Sequence, residues 1–342
     1  MRAAVIHRNG GLEELVLADI PEPAPGRGEV AIRVKAAGLN HLDIWMRMGR
    51  PGLRFNFPHP LGSDAAGLIH AIGEGVEDLS VGAEVVINPG IACMRCEWCL
   101  RGQHSECPDF GIVGQIRHGS FAEVLTVPAE CVYPKPAHLS WEEAAALPLA
   151  HLTAWRMLYT RGQLQPGETV LIHGVGGGVA LALLQLARAS GAEVFVTSSS
   201  DEKLARAREL GAAHTINYRN EDVAARVLEI TDGRGVDICL DTVGAQTWPI
   251  NFAAVRKAGR IVHCGITTGP TAEVQISGLY WRQLNVLGST MGTHEEFRKL
   301  LRFVSATGLR PVMDSTYPLD EARAAQERME KGEQFGKIAL TI

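Results

Sequence analysis

The alternation that runs from Thr169 to Gly288 constrains this chain most strongly. Thr169–His173 (TVLIH) is a short apolar run with no polar alternation, as expected of a strand buried on both faces. A glycine-rich loop, His173–Ala180 (HGVGGGVA), follows it, and a helical pattern then runs from Val179 to Ser190 until Gly191 stops it. Val194–Thr197, His214–Asn217, Asp237–Asp241, Arg260–Cys264 and Asn285–Gly288 read as further strands. Asp201–Leu210 and Val223–Ile230 read as helices between them. Strands alternating with helices in this way build a parallel sheet covered on both faces.

The remainder of the chain has a different period. Residues 1 to about 130 are rich in β signals and turns. Val30–Lys35 (VAIRVK) alternates like a half-buried strand, and Pro21, Pro23, Pro25, Gly26 and Gly28 punctuate the approach to it. A barrel or curled sheet suits this stretch. Ser140 and Glu143 form a capping-box pattern that opens a helix. Glu295–Ala306 reads as an amphipathic helix, and Lys337–Ile342 as a closing strand that returns to the N-terminal sheet. A length of 342 residues suits about two domains. A net charge of −5 argues against nucleic acid or an anionic membrane as partner, since both reward a basic face. No secretory or membrane-spanning apolar run is visible, which sets the expectation of a cytoplasmic protein.

The glycine-rich loop lies between a strand and a helix, where Gly176, Gly177 and Gly178 let backbone approach a pyrophosphate closely. The helix beginning at Val179 offers free N–H groups and a positive dipole end to that anion. The end of the following strand selects the cofactor. An acid there would accept from a ribose 2′-hydroxyl, but the run is Thr197, Ser198, Ser199, Ser200, Asp201 and Lys203. Ser198, Ser199 and Lys203 suit a 2′-phosphate, so NADP is preferred. NAD stays open through Asp201, and the serines also suit a plain helix cap. Thr242 and Gly265 stand at the ends of later strands, where ligands of open α/β sheets bind.

Four of the seven cysteines crowd into one loop, as Cys93, Cys96, Cys99 and Cys107. The pattern C-x2-C-x2-C-x7-C can close four thiolates around Zn²⁺. Such a site is saturated and therefore structural. The alternatives are a reduced, empty cluster or an iron substitute.

In this order, the pieces resemble the medium-chain dehydrogenase/reductase superfamily of zinc alcohol dehydrogenases and quinone reductases. The resemblance rests on Gly38–Asp43 (GLNHLD), Gly62–Gly67 (GSDAAG), Val81–Val85 (VGAEV), the cysteine lobe, Ala144–Leu149 with Thr153, and the glycine-rich loop. It implies a GroES-like catalytic domain of residues 1–150 and 285–342, with a zinc lobe at 90–108, and a Rossmann domain of residues 151–284. It also implies a homodimer or homotetramer acting on a small carbonyl, quinone or alcohol.

The departures from the pattern narrow the chemistry. Asn40 stands where zinc alcohol dehydrogenases carry a ligand cysteine, and Gly62-Ser63-Asp64 replaces their Gly-His-Glu. A third ligand would fall near Leu149. The usual catalytic zinc site is therefore missing, and Asn40 with Asp43 resembles the N-x-x-D of zinc-independent quinone and enone reductases. By that resemblance Asn40, His41, Asp43 and Thr153 are the expected catalytic residues. Asn40 is the oxyanion donor, His41 the proton relay and Asp43 an orienting group. Two alternatives remain. One is an alcohol dehydrogenase with zinc rebuilt on His41, His59, Asp64 or His151. The other is an NADPH-binding protein that has lost catalysis.

Overall fold

The computed structural model describes residues 1–49 and 55–342. The chain divides into two compact units, Met1–Leu152 with Met291–Ile342, and Thr153–Thr290.

The first unit is β-rich. Its larger sheet centres on Glu29–Gly38, which pairs antiparallel with Asp64–Ile72, Val124–Pro128 and Lys337–Thr341. Alternation places Val30, Ile32 and Val34 inward, where they pack with Leu61, Ile69, Val85, Ile87, Phe121 and Leu340. The closing strand returns to the N-terminal sheet as expected, in the register Ala339↔Gly38 and Leu340↔Ala37. Ser140 caps the helix Trp141–Ala146. Its Oγ accepts from Glu143 N at 3.2 Å, and Glu143 Oε2 accepts from Ser140 N at 2.9 Å.

The second unit is a six-stranded parallel sheet. Its spatial order is His214–Asn217, Glu193–Ser198, Thr169–Ile172, Val236–Asp241, Val255–His263, Asn285–Gly288. In sequence terms this is 3-2-1-4-5-6, the doubly wound Rossmann arrangement. The order reverses between Thr169–Ile172 and Val236–Asp241, so ligand-binding loops gather at the carboxyl ends of these two strands. Leu171, Phe195, Ile216, Cys239 and Ile261 fill one of its faces. The architecture is α/β, with a GroES-like unit and a Rossmann unit.

The expected return to the first domain at residue 285 is too early. Asn285–Gly288 pairs parallel with Val255–His263 through Arg260↔Asn285 to His263↔Gly288, so it completes the parallel sheet, and the crossing falls at Thr290/Met291. Trp281 is 77% exposed, whereas Met46 is part of the core. No helix among the described residues is long and apolar enough to cross a membrane.

Candidate active site

In the first unit, the turn after Glu29–Gly38 carries Asn40 into a buried polar cluster. Asn40 caps the helix His41–Met48, and its N–H donates to Asp43 Oδ2 at 2.7 Å. Its Nδ2 donates to Asp64 Oδ2 at 2.9 Å, and its Oδ1 accepts from Lys337 Nζ at 2.6 Å. Asp64 Oδ1 accepts from Leu149 N at 2.9 Å. Both oxygens of Asp64 and both ends of the Asn40 carboxamide are therefore engaged. Burial pushes the Asp43 carboxyl up to about 7, against the pull of the Asn40 and Gly62 N–H groups. Burial raises the Asp64 carboxyl too, in spite of Lys337.

His41 opens the helix with an exposed side chain, its ring tilted against Trp45. Desolvation by the surrounding protein and the Lys337 charge hold its pKa below the ordinary value. His59 is buried, stacks on Phe55, and donates through Nε2 to Gly114 O at 3.0 Å. Its pKa falls to about 4, chiefly through burial. The histidines and Asp64 considered for a rebuilt zinc do not converge. Among the described residues, the group of metal-ligating atoms that does converge is Cys93, Cys96, Cys99 and Cys107.

Those four sulfurs lie within 4.8 Å of one another. The N–H groups of Arg95 and Cys96 point at the Cys93 sulfur and lower its pKa to about 6. Burial and the neighbouring thiols push Cys99 up to about 12. Four soft donors in one small volume fit a tetrahedral divalent ion.

In the second unit, Gly176 lies at φ +127° and Gly177 ends the loop at the N-terminus of the helix Gly178–Ala189. A Cβ at Gly177 would meet nothing nearer than Gly174 O at 3.8 Å, so space stands open over the loop. Gly177 has no side chain with which to cap the helix, so the N–H groups around Gly178 and Val179 stay available to an anion. The loop fits a pyrophosphate.

At the end of Glu193–Ser198, the capping interpretation holds for Ser200, whose Oγ accepts from Lys203 N at 3.3 Å. Ser198 is buried and accepts from Ser200 N, while Ser199 and Lys203 are half-buried. Asp201 spends Oδ1 on Asn217 Nδ2 at 2.6 Å. At the end of Val236–Asp241, Thr242 approaches Gly265 so closely that a Cβ on Gly265 would fall 2.5 Å from the Thr242 carbonyl oxygen. Gly265, at φ +133°, tolerates no side chain. Thr153 belongs to this unit and is buried.

Two features escape sequence reading. Lys337 reads as a solvated lysine at a strand start, yet it is 4% exposed. His173, Asn251 and Asp241 form a buried chain: His173 Nε2 bonds Asn251 Oδ1 at 2.9 Å, and Asn251 Nδ2 bonds Asp241 Oδ2 at 2.5 Å. The strand Val236–Asp241 carries the signal for this chain, ending its apolar run on an acid.

A β-rich unit with a cysteine lobe and a 3-2-1-4-5-6 parallel sheet make up the body of a two-domain dehydrogenase. A zinc-binding dehydrogenase family model matches residues 178–306, and an alcohol dehydrogenase GroES-like domain model matches residues 26–137. A zinc-type alcohol dehydrogenase-like protein of Schizosaccharomyces pombe is 36% identical over 322 residues, covering 92% of this chain and 91% of its own. A 2-haloacrylate reductase of Burkholderia sp is 32% identical over 361 residues, covering 99% and 98%. A solved NAD-dependent alcohol dehydrogenase superposes with a TM-score of 0.95 at 42% identity, covering 100% of both chains. The chain belongs to the medium-chain dehydrogenase/reductase superfamily and is an oxidoreductase.

Proposed function

We propose that this enzyme reduces an electron-poor carbon, in an enone or a quinone, with NADPH and without a catalytic zinc. The observation that carries this reading is the engagement of Asp64. Its oxygens are committed to Leu149 N, Asn40 Nδ2 and Lys337 Nζ, and an ammonium already stands beside it. A zinc rebuilt here would have to displace that lysine. The name of the haloacrylate reductase relative supports a conjugated acceptor.

When bound, the nicotinamide supplies the hydride. The residues of this chain do the rest. Gly176, Gly177, Gly178 and Val179 hold the pyrophosphate, and Thr242 and Gly265 line the cofactor path. Ser198, Ser199 and Lys203 hold a 2′-phosphate. The tie of Asp201 to Asn217 supports NADP over NAD, because half of the alternative ribose acceptor is already occupied. The Asn40 carboxamide has two N–H groups, and Asp64 takes one. The other donates to the oxygen on which charge develops, a type of contact worth about 3 kcal/mol. His41 relays a proton, Asp43 holds the Asn40 turn, and Thr153 approaches the nicotinamide.

Cys93, Cys96, Cys99 and Cys107 hold a structural Zn²⁺, which leaves no open position for substrate. The outer edge of Asn285–Gly288, unpaired among the described residues and beside the exposed Ile276, Tyr280 and Trp281, supports a homodimer or homotetramer. Seven cysteines, four of them clustered for a metal and none in a disulfide among the described residues, suit a cytoplasmic location.

The test is NADPH oxidation by purified protein against a panel of enones, quinones, aldehydes and ketones. Turnover is expected with enones or quinones. Activity confined to simple alcohols and aldehydes, and dependent on added zinc, would sink the reading. NADPH binding with no turnover of any acceptor would favour a protein that has lost catalysis.

A further inference from the structure

We infer that Lys337 is a positioning residue of the reduction site, which fixes the direction in which Asn40 presents its free amide N–H. The chemical consequence rests on the function proposed above; the geometry does not.

Lys337 opens the closing strand, just beyond the pair Ala339↔Gly38. Leu39 N donates to Ile338 O at 2.9 Å, and Lys337 N to Val312 O at 2.8 Å, so the backbone of Lys337 and Ile338 is held from two sides. Gly336 precedes it at φ +118°, where a Cβ would strike Val312 O at 2.4 Å. A larger residue would push the strand start away, and the lysine would lose its aim.

The ammonium is buried and surrounded by acceptors. It meets Leu39 O at 2.6 Å, Asn40 Oδ1 at 2.6 Å and Asp64 Oδ2 at 3.4 Å. An ammonium has three donors, and here there is one acceptor for each. Lysine is almost never buried unless paired in this way.

An asparagine carboxamide can turn over, exchanging its oxygen for its nitrogen. Here one orientation alone is consistent with its neighbours. With Oδ1 toward the ammonium and Nδ2 toward the Asp64 carboxylate, both contacts are charge-assisted. Turned over, the carboxamide would set N–H groups against an ammonium and a carbonyl against a carboxylate. Lys337 also polarises the carboxamide through Oδ1, which makes the remaining Nδ2 hydrogen a stronger donor. The positive charge sits one residue away from where a negative charge would grow during reduction.

Three variants separate positioning from mere support of the fold. Lys337→Met leaves Asp64 buried without its cation and should lower thermal stability. It should also lower kcat by about 100-fold with NADPH affinity unchanged. Lys337→Met combined with Asp64→Asn removes both charges and should recover stability without recovering kcat. Lys337→Arg, which keeps the charge, should recover part of kcat. A charge-neutral double variant that recovers wild-type kcat overturns the inference. So does a stable Lys337→Met protein with unchanged kcat.

A second readout needs no turnover. In protein carrying isotope-labelled asparagine, the Asn40 side-chain NH₂ signal, assigned through Asn40→Ala, should shift in Lys337→Met and exchange faster with solvent. An unmoved signal in a folded variant overturns the inference. If wild-type protein reduces no acceptor, the functional proposal fails, and the NMR result alone decides the role of Lys337.

Discussion

Asp241→Ala should destabilise the parallel-sheet unit by about 3–6 kcal/mol. Asp241 ends the strand Val236–Asp241 and is fully buried. Its Oδ1 accepts from Val243 N at 2.7 Å and Gly244 N at 3.2 Å. Its Oδ2 accepts from Thr247 Oγ1 at 2.8 Å and Asn251 Nδ2 at 2.5 Å. Alanine leaves these donors behind. Thr247 can turn to Gly244 O, 3.0 Å away, and loses little. Val243 is half-buried and can reach water. Gly244 N and Asn251 Nδ2 are buried and pay the full cost of an unmet donor, about 1–3 kcal/mol each. Val243 adds a fraction of that, and the lost side-chain packing adds the rest.

The loss has a functional side, because this turn presents Thr242, and Asn251 links it to His173 at the root of the glycine-rich loop. NADPH affinity should fall with stability. Urea unfolding of wild type and variant measures the first, and fluorescence titration the second. The effect also has a pH signature. Burial alone would raise the Asp241 carboxyl, but His263, His173, the Val243 N–H and the Thr247 hydroxyl together hold it well below the usual range. A depressed carboxyl contributes stability above its unfolded pKa and loses it as pH falls. The gap between wild type and variant should therefore narrow in acid. A loss under about 1 kcal/mol at neutral pH would refute the reasoning, since unmet buried donors cost more than that.

Cys96→Ser should abolish zinc binding and lower thermal stability while leaving the NADPH affinity of the folded fraction intact. Full zinc content by elemental analysis would remove Cys96 from the ligand set. Lys203→Ala should weaken NADPH about 10- to 100-fold and leave NADH unchanged, by fluorescence titration, because one charge-assisted bond is worth about 1.5–3 kcal/mol. Equal losses for both cofactors would end the 2′-phosphate role. Asp43→Asn should flatten the pH dependence of stability. The buried carboxyl of Asp43 titrates near 7 instead of 3.8, so the folded state keeps a proton that the unfolded chain releases. Wild-type stability therefore falls as pH rises between those values, a slope that urea midpoints should show in wild type and lose in the variant.

Elements set by local chemistry were legible in the sequence. His214–Asn217 and Val223–Ile230 begin and end as expected, because Asp222 caps the helix with a 2.9 Å bond to Ala225 N and apolar positions on one side become buried. The Ser140–Glu143 box and the cysteine lobe were equally readable, since each lies within a short stretch of chain. The features that escaped depend on distant segments. Lys337 meets Asn40 across 297 positions, and no local pattern distinguishes a buried lysine at a strand start from a solvated one. Asp64 could be singled out as a possible ligand, but the contacts with Leu149, Asn40 and Lys337 that redefine it come from three other parts of the chain. The boundary at 285 that the resemblance implies conflicts with the strand alternation, which runs to Gly288, and the register with Arg260–His263 bears out the alternation.

The most direct test of the central claim, reduction without a catalytic zinc, is zinc per chain in active protein purified without added metal. The account predicts one zinc, held by the four cysteines, with enone or quinone turnover at full rate. Two zincs per chain, with turnover lost when the second is removed and the first retained, would contradict it.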